Sequence, residues 1–327
     1  MTEIKVSVVM ITYNHEPFIK QAVESIITQQ TDFEFELLIG NDRSPDKTDE
    51  IIRNIIDSHP KGYRIKYFLH EKNLGITPNS KVILDKVTGK YFATCEGDDY
   101  WTDPEKLQKQ VEFLDSNSDY AICFHNTRIE YFDDDLPAYL LNENIEKDIF
   151  SLDDLIGEDE IWFMATTSLM VRSQAFFPIP DWYVKSKSGD IPLIILAARN
   201  GLIKYLPDVM AVYRKTARGI SNTDQKEGIK FMKNRVFMYS MIDKSTNFKY
   251  HALLRRNIAR YYYMMIFSEE LSSKYMIRLS KVFTYIRLTF PKIPDIQGVI
   301  RYKVIPPVVF EIYSAIKKSL GLWKEAK

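Results

Sequence analysis

Apolar and polar positions come in alternating blocks through the first hundred residues. Apolar-rich runs over Val6 to Thr12, Glu36 to Gly40, Arg64 to His70 and Tyr91 to Cys95 read as strands. Between them, Pro17 to Gln30, Asp46 to Ser58 and Pro78 to Val87 follow helical spacing. Strands that are apolar throughout and separated by helices predict an α/β fold. Its central sheet would be mostly parallel and flanked by helices, with ligands at the carboxyl ends of the strands. The chemistry is therefore expected just after Thr12, Gly40 and Cys95. Beyond Leu107 the order changes to a helix ending near Ser116, a strand over Ile122 to Tyr131 and an acidic loop at Asp133 to Asp135. A strand over Thr167 to Val171, a helix over Ile191 to Asn200 and a strand over Ile203 to Tyr213 follow. From Gln225 onward the spacing is helical.

Charge divides the chain at the same place. The 327 residues carry no net charge, yet residues 1–224 hold 24 Lys and Arg against 37 Asp and Glu, a net of −13. Residues 225–327 hold 20 against 7, a net of +13. We expect one domain over residues 1–224 and a basic helical region over residues 225–327. Val6 to Ile11 is the only early apolar run and has no basic leader, so a secretory signal is not expected. No run approaches the ~18 apolar residues of a membrane span. With only Cys95 and Cys123, the expected setting is reducing and cytoplasmic.

The segment Glu96-Gly97-Asp98-Asp99-Tyr100-Trp101 puts three carboxylates after the fourth predicted strand. Like charges at this spacing repel unless a cation is bound, and a hard ion such as Mg²⁺ or Mn²⁺ takes one or two carboxylates plus phosphate oxygens. The structural alternative is a solvated acidic turn capping the next helix. Neither Gly-x-x-x-x-Gly-Lys-Ser/Thr nor Gly-x-Gly-x-x-Gly is present, which argues against kinase and NAD-enzyme readings. A diphosphate would instead need a metal and basic side chains.

Four segments in order resemble a family 2 glycosyltransferase of the GT-A fold, inverting and of the bacterial surface-polysaccharide type. Val6 to Asn14 is similar to the family's first strand and its nucleotide-contacting end. Ile39-Gly40-Asn41-Asp42-Arg43-Ser44 resembles the second-strand motif, whose Asp binds the base. Asn73-Leu74-Gly75 with Asn79 and Lys81 resembles the Asn-x-Gly segment, with Lys81 where Arg is usual. Glu96-Gly97-Asp98-Asp99 stands at the Asp-x-Asp position, with Glu first. The resemblance implies nucleotide contacts from Thr12, Tyr13, Asn14, Glu16, Asp42, Ser44, Asn73, Gly75, Lys81, Glu96, Gly97 and Asp98, and metal ligation by Asp98 and Asp99. It implies that Asp190, in Ser188-Gly189-Asp190, is the catalytic base; at a helix start an Asp also serves as a cap or dipole partner. Arg214 and Arg218, in Val212 to Ser221, resemble the loop that closes over the diphosphate; otherwise they are surface residues.

The implied reaction moves a sugar from a nucleoside-diphosphate donor to an acceptor hydroxyl with inversion, in polysaccharide or glycan biosynthesis. Uridine suits the base site because a carboxylate accepts from its imide N–H. The acceptor would be a glycan or a lipid-linked sugar, and no nucleic-acid partner is expected. Trp101, Trp162, Trp182 and Tyr183 are either sugar platforms or core. The basic region either lies on anionic lipid at the inner face of the membrane or caps the acidic domain, within one chain or across a homodimer. The rival classes are a non-catalytic nucleotide-sugar-binding homologue and a nucleotidyltransferase, the latter disfavoured by the missing Gly-rich activation loop.

Overall fold

A computed structural model describes residues 3–156, 163–217, 219 and 228–290, together with residues 312, 315 and 316. The chain forms two compact units, residues 1–224 and 225–327.

In the first unit, β1 (Val6–Thr12), β2 (Phe35–Asn41), β3 (Ile65–Leu69) and β4 (Tyr91–Thr94) alternate with α1 (Ile19–Ile27), α2 (Thr48–Ser58) and α3 (Ile76–Leu84). They pair in parallel in the order β3-β2-β1-β4. Val6, Val8 and Met10 of β1 and Ile19, Val23 and Ile26 of α1 are fully buried. Each such side chain contributes roughly 1.5–3 kcal/mol by leaving water. Helix α2 begins two residues after the expected Asp46, because the Asp46 carboxylate is used by the loop: Oδ1 accepts from Thr48 N at 3.1 Å and Oδ2 from Glu16 N at 2.9 Å.

The second half of the sheet is mixed. After β5 (Tyr100–Trp101) and α4 (Lys106–Ser116) comes the long β6 (Tyr120–Tyr131), then β7 (Tyr139–Leu140), β8 (Ile149–Phe150) and the short α5 (Leu152–Leu155). The strand expected over Thr167 to Val171 is a 3₁₀ turn followed by β9 (Met170–Arg172), which runs antiparallel between β4 and β6. Helices α6 (Ser173–Phe176) and α7 (Asp190–Ala198) precede β10 (Leu202–Lys215). Strand β10 pairs in parallel with β6 through a register shift between Leu206 and Val209. Pro207, which has no N–H to donate, sits in that shift. Two strands antiparallel to the same β9 are parallel to each other, so β1, β2, β4, β6 and β10 all end on one edge of the sheet.

The second unit contains α8 (Ile229–Ser245), α9 (His251–Phe267) and α10 (Tyr275–Thr289), with α9 packed against the other two. Ile266 and Val282 are buried between α9 and α10, ringed by Leu279, Tyr285 and Ile286. No helix among the described residues is long and apolar enough to cross a membrane.

Candidate active site

The loops after β1 and β2 are laced together at the carboxyl edge. Asn14 turns the chain with φ 61° and donates from its backbone to Ser44 Oγ at 3.0 Å. His15 N donates to Thr48 Oγ1 at 3.0 Å, and Lys47 N to Glu16 Oε2 at 3.2 Å. Thr12 is buried, whereas Tyr13 is 46% exposed above this lacework and free to meet a flat ligand. Asp42, expected to contact the base, is buried, and its carboxylate accepts from Leu74 N at 2.6 Å and Gly75 N at 2.8 Å. Asn73 Nδ2 donates to the Asp42 carbonyl at 3.1 Å. The Asn73-Leu74-Gly75 turn, with Gly75 at φ 86°, is thus folded around Asp42. Lys81 is paired with Asp85 one turn later, at 2.5 Å.

The acidic segment continues the β4 pairing with β1, Cys95 N donating to Val9 O and Gly97 N to Ile11 O. A Cβ at Gly97 would stand 2.7 Å from Thr12 Oγ1 and 2.8 Å from His15 Nδ1, so only glycine lets the two loops meet. The carboxylates then diverge. Glu96 Oε2 accepts from Thr166 Oγ1 at 2.8 Å. Part of Glu96 reaches the surface, but burial of its carboxyl pushes it up to about 7; the Thr166 hydroxyl opposes the rise, and the charges of Asp98 and Asp190 add to it. Asp98 is partly exposed, its Oδ2 lying 3.7 Å from His15 Nε2. Asp99, the other expected metal ligand, lies in a different setting. It is buried, its Oδ1 accepts from Arg214 N at 2.9 Å, and its Oδ2 has no hydrogen-bond partner. Burial and then the Asp98 and Glu96 charges drive this carboxyl well above its ordinary range, with the Arg214 N–H pulling against them.

Arg214 clamps this segment from β10. Its Nη1 donates to the Asp98 carbonyl at 2.8 Å and its Nη2 to Gln21 Oε1, while the guanidinium lies 4.3 Å from the centre of the Tyr100 ring and 5.2 Å from that of Phe18. Arg218 lies outside the described residues, as does Trp162. Asp190 opens α7 from position N1, with Gly189 as the cap, and its Oδ1 accepts from Ile191 N at 2.8 Å. The loop before it is tied to α3 by Thr77 Oγ1 donating to Lys187 O at 3.4 Å. Asp190 and Asp98 both act electrostatically on Glu96, which brings the three carboxylates into one neighbourhood. Trp101, Trp182 and Tyr183 are core residues; Trp101 carries Lys106 Nζ 4.0 Å from its ring centre. The sequence reading missed His15, whose position three residues after Thr12 matches no metal-ligand spacing. It missed Phe18 and Tyr100 too, which only the fold brings to Arg214. Among the described residues no three His, Cys, Asp or Glu side chains gather as a metal cage.

A family model, glycosyl transferase family 2, matches residues 7–177. An uncharacterized protein of Mycobacterium tuberculosis is 36% identical over 236 residues, 70% of this chain and 64% of its own. An uncharacterized glycosyltransferase of Haemophilus influenzae is 34% identical over 124 residues, 36% of this chain and 48% of its own. The chain thus spans less than two thirds of the length of these relatives. Among solved structures, residues 1–349 of S. aureus TarS in complex with UDP-GlcNAc superpose with a TM-score of 0.59 at 17% identity, over 98% of this chain and 93% of that one. A likeness at that identity carries the GT-A fold. The match over residues 7–177, more than half of the chain, shows that it belongs to glycosyl transferase family 2.

Proposed function

We propose that the unit of residues 1–224 transfers a sugar from a uridine-diphosphate donor to an acceptor hydroxyl with inversion, Asp190 acting as the base. One observation carries this reading: at the carboxyl edge of a family 2 sheet Asp98 and Asp190 both act electrostatically on Glu96, and the base candidate opens helix α7. Asp190 takes the proton from the acceptor hydroxyl, whose oxygen attacks the anomeric carbon opposite the departing diphosphate. Tyr13 stacks on the base, and the laced loops around Asn14 and Ser44 hold the nucleoside. Arg214 contributes positive charge beside the diphosphate while keeping the acidic segment in place.

The residues present fit a Mn²⁺ or Mg²⁺ ion. Asp98 offers a partly exposed carboxylate, and hard ions of this kind complete their shells with substrate phosphate oxygens and water. When bound, the ion offsets the negative charge growing on the leaving group. Asp98 alone would hold it from this segment, Asp99 serving as the internal brace. A nucleoside-diphosphate sugar as donor draws support from the UDP and GDP-mannose complexes of structural neighbours, and the uridine from the UDP complex alone. A glycan or lipid-linked acceptor at the inner face of the membrane completes the proposal.

Calorimetry of the full chain with UDP, with and without Mn²⁺, tests the site. The parent should bind UDP at least about tenfold more tightly with Mn²⁺, and Asp98→Ala should lose that gain. Equal affinity with and without Mn²⁺ in the parent would refute the metal assignment.

A further inference from the structure

His15 has no role in the reading above, yet its ring stands beside Asp98, with Nε2 3.7 Å from Oδ2. Its backbone is fixed on both sides: His15 N donates to Thr48 Oγ1 at 3.0 Å, and its carbonyl accepts from Phe18 N and Ile19 N, both at 2.9 Å. The ring is fixed as well, with Nδ1 3.2 Å from Thr12 Oγ1 and the Gly97 backbone packed against it. With Nδ1 donating to that hydroxyl, Nε2 keeps its lone pair and faces Asp98 Oδ2 at 3.7 Å. That separation is beyond hydrogen-bond reach. It is close to the roughly 3.0–3.5 Å between neighbouring ligands that each stand about 2.1 Å from one ion. Both side chains are partly exposed, 22% for His15 and 24% for Asp98.

We infer that His15 Nε2 and Asp98 Oδ2 form a two-residue divalent-metal site, completed by diphosphate oxygens, in which the imidazole sets the choice of metal. The inference rests on the proposed metal role of Asp98 and adds a nitrogen ligand to it. The Thr12 hydroxyl is the partner that orients the ring, as groups behind a metal-bound imidazole commonly do. A nitrogen ligand favours first-row transition ions over Mg²⁺, which prefers oxygen throughout its shell. The site therefore selects Mn²⁺ over Mg²⁺ more strongly than Asp98 and phosphate oxygens alone would.

Pulsed electron paramagnetic resonance of the full chain with Mn²⁺ and UDP reads the ligand directly, because a bound imidazole imprints nitrogen modulation on the Mn²⁺ echo. The parent should show that modulation, and His15→Gln should lose it while still binding UDP. In calorimetry, the Mn²⁺-over-Mg²⁺ preference for the UDP complex should fall about tenfold or more in His15→Gln. Bound Mn²⁺ without nitrogen modulation in the parent overturns the inference and leaves the metal role of Asp98 standing; this outcome needs no variant. Modulation that persists in His15→Gln overturns it too, by pointing to another nitrogen. If UDP recruits no Mn²⁺ at all, the inference and the reading beneath it both fail.

Discussion

Four neighbouring carboxylates do different work because each meets a different environment. Asp98 reaches solvent, Glu96 is crowded and held by Thr166, Asp42 is consumed by two backbone N–H groups, and Asp99 is sealed inside against Arg214. Removing the buried acceptor at Asp99 leaves the part-buried Arg214 N–H without it, so Asp99→Ala should lower stability by about 1–3 kcal/mol. Asp98→Ala should change it by less than about 0.5 kcal/mol. Because burial already favours the uncharged form of Asp99, Asp99→Asn should stay near the parent. Thermal midpoints of the three variants check this, and a midpoint in Asp98→Ala as low as in Asp99→Ala would reverse the two roles. At this scale the sequence was legible in residue type and order but not in orientation. Glu96-Gly97-Asp98-Asp99 marks the site, yet which carboxylate points outward depends on β10, more than a hundred residues away. His15 was illegible for the same reason, since its partner Asp98 comes from another strand.

Elements built from continuous apolar runs were read closely. β1 and the parallel pairing of the first half follow from runs that are apolar throughout, a property local to each strand, whereas the order β3-β2-β1-β4 was not predicted. β5 and β9 were not read as the structure forms them, because two- and three-residue strands carry too few positions to show a period. Helix α10 adds a feature that periodicity alone did not isolate. Met276, Phe283 and Phe290 are 78%, 63% and 65% exposed. At a spacing of seven residues they fall on one side of the helix and its end. Arg287, one turn after Phe283, lies on the same side, while Lys281 lies nearly opposite. An apolar face flanked by a cation suits an anionic lipid surface, where each cation contributes about 1 kcal/mol within a Debye length of about 8 Å. The full chain should therefore sediment with phosphatidylglycerol-containing vesicles, less so in high salt, and Phe283→Ser should weaken it. No sedimentation at low salt would remove the lipid reading and leave the helices as a cap.

Across the whole molecule, the net −13 of residues 1–224 and the net +13 of residues 225–327 coincide with two compact units. Under the proposed function, the acidic unit gains from a bound cation, and a basic unit that met anionic lipid would carry it to a membrane-borne acceptor. Glycosyl transfer at Asp190 is tested most directly by the rate of UDP release from UDP-sugars in the presence of Mn²⁺, comparing the parent with Asp190→Asn. Release by the parent should depend on Mn²⁺, and in Asp190→Asn the rate should be lower by about 10² or more with donor affinity within a few-fold. Equal rates in a folded Asp190→Asn would contradict that assignment, as would a parent that releases pyrophosphate from a nucleoside triphosphate and leaves every UDP-sugar intact.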